Sequence, residues 1–200
     1  MHIGSPDTAD RAVVVAEIGN NHEGDSALAE RLVRLAAQAG ADAVKLQTFH
    51  PEHYASARDA ERLARLRRFA LPRDAWARLA DVAKEVGIVF FSTPFDCGSA
   101  AFLAPLVPVF KIASGDITFF PLLTAIAATG KPMILSTGAA TMVEIAAAVA
   151  CVRRVWAARG ITQDLALLHC VAAYPVPSEQ ANLGAIAVLR ASNAFPSETV

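Results

Sequence analysis

Short runs of β-branched and aromatic residues alternate along this chain with Ala- and Leu-rich stretches at helical spacing, the pattern that predicts successive parallel β/α units. Residues 13–18 read as a buried strand. Leu28, Leu32, Leu35 and Ala39 then fall on one face of a helix capped by Asp25 or Ser26 and stopped at Gly40. Further strands are expected at 43–47, 88–92, 109–113, 133–136 and 165–169. A long connection follows the second strand and leads to a helix from about Arg73, with Trp76, Leu79, Ala80, Ala83 and Val86 at helical spacing and a stop at Gly87. Pro121 opens another helix that stops at Gly130, and Thr141 with Glu144 forms a T-x-x-E capping box for a long one. A helix-like stretch at 183–191 ends the pattern.

Six units in one direction, with no Gly-rich dinucleotide fingerprint after the first strand, favour a (β/α)8 TIM-barrel type over a doubly wound sheet. The expectation is an incomplete α/β barrel of about six units, one partial barrel domain over residues 1–200, with its first and sixth strands as open edges. At 54% hydrophobic residues the chain has ample material for a core. The 18 basic and 19 acidic residues nearly cancel, and no Lys/Arg run marks a nucleic-acid or anionic-membrane surface, so the expected partner is a small molecule. Cys97, Cys151 and Cys170 fit no disulfide or metal spacing and read as reduced thiols with a packing role. The first 11 residues hold no apolar signal core and no apolar run is long enough to span a bilayer, which leads to a cytoplasmic assignment.

Polar residues concentrate at the carboxyl ends of the expected strands, where barrel chemistry lies: Glu17, Lys45 and Gln47, Ser92 and Thr93, Lys111 and Ser114, Ser136 and Thr137, and His169. Lys45 lies between Val44 and Leu46, and Lys111 between Phe110 and Ile112. A buried ammonium requires a partner. Two readings follow: the lysines, with the hydroxyls of Thr93, Ser114 and Ser136, cradle a phosphate or carboxylate, or they are neutralised by Glu17 and Asp116. Those two carboxylates are also the acid-base or water-orienting candidates. His169 reads as a hydrogen-bonded core residue and His22 as a group that orders the first loop. No histidine pair has metal-site spacing.

Six ordered segments, AEIGNNHEG at 16–24, VKLQTF at 44–49, FSTPFD at 91–96, FKIASGD at 110–116, LSTG at 135–138 and LHC at 168–170 with Tyr174-Pro175, resemble the N-acetylneuraminate (sialic acid) synthase family. The resemblance covers nearly the whole chain after residue 10. It implies condensation of phosphoenolpyruvate with an N-acetylated hexosamine such as N-acetylmannosamine, giving a nine-carbon 2-keto acid sugar and phosphate, assisted by manganese or magnesium. By the same resemblance Lys45, Thr93, Lys111, Ser114 and Ser136 would hold phosphoenolpyruvate, and Gln47 and Tyr174 would line the substrate pocket. Asp116 would lie near the sugar aldehyde and Glu17 would orient the attacking water, with Lys45 also in a catalytic role. The family's metal-binding histidines are expected beyond Val200, the first soon after the pair that Phe195-Pro196 resembles, so no metal ligand is assigned within the chain. The resemblance leads to the expectation that the family's small C-terminal antifreeze-like domain is missing here, and it implies a homodimer for the full-length form. Ala172 stands where some relatives carry a polar residue. Two other readings are a Schiff-base class I aldolase with Lys45 or Lys111 as nucleophile, and a non-catalytic fragment that binds phosphoenolpyruvate.

Overall fold

A computed structural model describes Met1, Ile3, Thr8 and residues 11–192, so the Phe195-Pro196 pair lies outside the described residues. Six strands alternate with helices: β1 (Val15–Gly19), β2 (Ala43–Thr48), β3 (Val89–Pro94), β4 (Phe110–Ile112), β5 (Met133–Ser136) and β6 (Leu165–Leu168). Strand order follows chain order. That order separates the fold from a doubly wound sheet, whose strand order reverses partway, and agrees with the barrel type that the pattern predicts. The described residues divide into two compact units, one within residues 2–110 and the other formed by residues 111–192 together with Met1.

In the first unit β1, β2 and β3 are parallel, and the register from Ala43↔Val89 to Thr48↔Pro94 is continuous. Side chains alternate across such a strand. Phe90 packs against Trp76 of helix α4 (Arg73–Val86), with ring centroids 6.2 Å apart, so Ser92 shares this helix-facing side while Phe91 and Thr93 take the other. Ser92 is accordingly buried against Thr48, their hydroxyl oxygens 2.7 Å apart, and is not aligned with Thr93 as a strand-end ligand.

Helix α1 (Ser26–Gln38) is capped by Asp25, whose carboxylate accepts from the N–H groups of Ala27 and Leu28. Its buried residues are Ala29 and Val33 rather than the leucines, and Leu35 is 46% exposed.

The long connection is partly helical, with α2 (Pro51–Tyr54) and α3 (Ala60–Phe69). Asp59 caps α3 by accepting from Arg62 N–H at 3.0 Å, and Leu63 and Leu66 are its buried contacts. Helix α5 (Cys97–Leu103) starts at Asp96, which accepts from Ser99 N–H at 2.8 Å.

In the second unit β5 and β6 pair in parallel from Met133↔Leu165 to Ser136↔Leu168. Helix α6 (Phe120–Ala127) has Pro121 in its first turn, and helix α7 (Met142–Arg159) carries the expected capping box. The Trp156 indole N–H donates to the Ala127 carbonyl at 3.0 Å and joins these two helices. Ile112, Leu122, Leu123, Ile126, Met133 and Leu135 are fully buried around them. Helix α8 (Gly184–Ala191) is the last described element. No helix among the described residues is long and apolar enough to cross a membrane.

Candidate functional site

The first unit places one polar cluster at the ends of β1, β2 and β3. Lys45 forms an ion pair with Glu17 and reaches the Thr93 hydroxyl at 3.4 Å. The Lys45 side chain is 15% exposed and that of Glu17 50%, so the pair is open to a ligand. Here the carboxylate-neutralised reading of the lysine describes the resting arrangement.

Gln47 accepts from the Asn20 side-chain N–H at 2.7 Å, while Asn20 Oδ1 is buried with no hydrogen-bond partner among the described residues. Sequence reasoning gave Asn20 no role. Its place directly after β1 was the available signal.

His22 orders this loop. It is 1% exposed, and its Nδ1 accepts from Gly24 N–H at 3.0 Å, which puts the ring proton on Nε2. Burial lowers its pKa, and the Gly19 carbonyl opposes that without closing a hydrogen bond to Nε2. Gly24 has φ +88°, and a Cβ there would lie 2.0 Å from the Arg68 carbonyl oxygen, so only glycine lets this loop lie against the end of α3.

The second unit holds another cluster, after β4, β5 and β6. Lys111 is 8% exposed and donates to the Ser136 hydroxyl and the Ile112 carbonyl, each at 2.5 Å. Ser114 accepts from Gly138 N–H at 3.1 Å. A Cβ on Gly138 would come within 2.9 Å of Ser114 Oγ and 3.2 Å of Cys170 Cβ, so a bare backbone is what allows these three to converge. Cys170, unassigned beyond packing, donates its S–H to Ser136 Oγ at 3.3 Å. Thr137 donates to the Leu168 carbonyl at 3.0 Å and serves the backbone instead.

Asp116 ends the 3-10 turn Ser114–Asp116 that follows β4. Burial raises its pKa to about 6, against the opposing charge of Lys111. Its Oδ2 is buried with no hydrogen-bond partner among the described residues. Such an oxygen is stabilised by a proton or by a donor on a ligand.

Of the remaining sequence assignments, His169 is hydrogen-bonded as expected, Nε2–H to the Ala181 carbonyl at 2.9 Å. Tyr174 is 99% exposed. Among the described residues no three His, Cys, Asp or Glu side chains converge to hold a metal, so the residues present do not fit a divalent ion.

Strands that follow one another in chain order, with polar side chains at their carboxyl ends in each unit, define a protein of the parallel β/α-barrel type. Residues 32–197 match the model of the NeuB family, and the chain belongs to that family. It is 38% identical over 194 residues to the N,N'-diacetyllegionaminic acid synthase of Campylobacter jejuni, covering 90% of this chain and 57% of that protein. It is 32% identical over 186 residues to the human N-acetylneuraminate-9-phosphate synthase, covering 86% and 50%. The crystal structure of N-acetylneuraminic acid (sialic acid) synthetase from Leptospira borgpetersenii, in complex with citrate, superposes with a TM-score of 0.82 at 35% identity, over 90% of this chain and 61% of that one. The chain spans about half the length of the curated relatives it matches.

Proposed function

We propose that the chain carries the phosphoenolpyruvate-binding part of a synthase that condenses phosphoenolpyruvate with an N-acetylated hexosamine, such as N-acetylmannosamine, to a nine-carbon 2-keto acid sugar and phosphate. The observation that carries this reading is the Lys111 cluster: a cation only 8% exposed, with two serine hydroxyls and a glycine turn at strand ends. Membership of the NeuB family and similarity to relatives named as sugar-acid synthases support it.

Carbon 3 of phosphoenolpyruvate bonds to the aldehyde carbon of the open-chain sugar. The aldehyde oxygen then takes a proton, and a cationic centre is left at carbon 2. Asp116, with a pKa of about 6, is the donor of that proton. Water adds at carbon 2 and releases one proton to the surrounding solvent. The hydroxyl left on carbon 2 passes its proton to the phosphate oxygen as the bond between carbon 2 and that oxygen breaks, and carbon 2 becomes the ketone. Lys111, Ser114 and Ser136 meet the charge that leaves with phosphate.

The test is phosphate release from phosphoenolpyruvate by the purified chain, with calorimetric titration of phosphoenolpyruvate alongside. Release that depends on N-acetylmannosamine supports the reading, and a chain that binds no phosphoenolpyruvate overturns it. Borohydride trapping of pyruvate on Lys45 or Lys111 would replace condensation with Schiff-base chemistry, which this reading excludes.

A further inference from the structure

Cys170 sits where its thiol can decide what the Ser136 hydroxyl does. A serine hydroxyl has two acceptor lone pairs and one hydrogen to donate. Ser136 Oγ accepts from the Lys111 ammonium at 2.5 Å and from the Cys170 thiol at 3.3 Å. Both acceptor positions are therefore filled by the protein. The hydroxyl hydrogen has neither neighbour as an acceptor, because an ammonium has no lone pair and the thiol is engaged as a donor.

We infer that Cys170 is a positioning residue for anion binding: by donating to Ser136 Oγ it fixes that hydroxyl as a donor to the phosphate or carboxylate held beside Lys111. Ser114 follows the same logic, since it accepts from Gly138 N–H and keeps its own hydrogen for a ligand. Gly138 makes the arrangement possible, because a side chain there would come within 3.2 Å of Cys170 Cβ and push the thiol off Ser136. The thiol is half-buried and belongs to no disulfide. The inference rests on the proposed reading of the Lys111 cluster as the phosphoenolpyruvate cradle.

The test is a titration of phosphoenolpyruvate, and separately of inorganic phosphate, into the unchanged chain and its variants. Cys170→Ala and Cys170→Val, one smaller and one branched, both lack the donor and are expected to weaken binding about three- to tenfold, the scale of one neutral hydrogen bond. Cys170→Ser keeps a donor and is expected to restore most of that affinity. In a Ser136→Ala background, Cys170→Ala is expected to add nothing, because the thiol acts through that hydroxyl. Circular dichroism on each variant confirms that it is folded.

Unchanged affinity in Cys170→Ala, a loss confined to Cys170→Val, or a full further loss in the Ser136→Ala background would each overturn the positioning role while Lys111→Ala still loses binding. No binding of either anion by the unchanged chain would overturn both this role and the reading beneath it.

Discussion

Lys111 and Asp116 lie five residues apart on one strand-and-turn segment, and their surroundings differ. The Lys111 side chain donates to two oxygen acceptors, whereas the Asp116 carboxyl has a buried oxygen without a partner among the described residues and is pushed by burial up to about 6. Lys111→Ala is expected to weaken phosphoenolpyruvate binding by about ten- to a hundredfold, the range for a hydrogen bond to a charged group, as read by calorimetry. For Asp116, an unfolded carboxyl titrates near ~4 and the folded one at about 6, so the folded state holds the extra proton between those values. Stability is therefore lost as pH rises across that window. Asp116→Asn should melt like the parent at pH 4 and above it at pH 7, and equal melting at both would show that burial does not strain this acid. The lysines, the hydroxyls and the two acids were legible in the sequence as polar residues at the ends of apolar runs. Their partners were not, because Asn20 against Gln47 and Cys170 against Ser136 join residues 27 and 34 positions apart. Tyr174, assigned to the pocket by resemblance, is almost fully exposed among the described residues.

At the scale of elements, the strands were the most readable feature, because fully buried parallel strands leave continuous apolar runs, and all six fall within a few residues of their expected positions. The helices were readable in proportion to their length. The 14-residue α4 and 18-residue α7 show their period and their stops, whereas α2, with four residues, and α5, with seven, are too short to establish one. The signals that would have found α3 and α5 were their caps, Asp59 and Asp96, each followed three residues later by the N–H it accepts. In α1 the leucine spacing marked a face beside the buried one, since Leu28 and Leu32 are half-buried, Leu35 is exposed, and Ala29 and Val33 are the buried residues. The α7 cap has a direct test. Thr141 accepts from Glu144 N–H while Glu144 accepts from Thr141 N–H, so Thr141→Ala should cost about 1 kcal/mol in urea denaturation, and a shift near zero would mean that the box is redundant.

At the scale of the whole chain, membership of the NeuB family places all six units in one lineage, although the chain covers about half of its curated relatives. The two compact units each carry their own polar cluster, Glu17 with Lys45 in one and Lys111 with Ser136 in the other. They also each carry one of the two tryptophans, Trp76 at 3% exposure and Trp156 at 2%. In Trp76→Phe, the fluorescence transition then belongs to the unit that holds Lys111, and saturating phosphoenolpyruvate should move it to higher denaturant, by about 2.7 kcal/mol at a hundred times the dissociation constant. An unmoved midpoint would place the anion elsewhere. Because an indole released from such a dry setting shifts its emission to the red, the chain has a separate optical reporter built into each unit, and no dye or label is needed to tell which of them responds to a ligand.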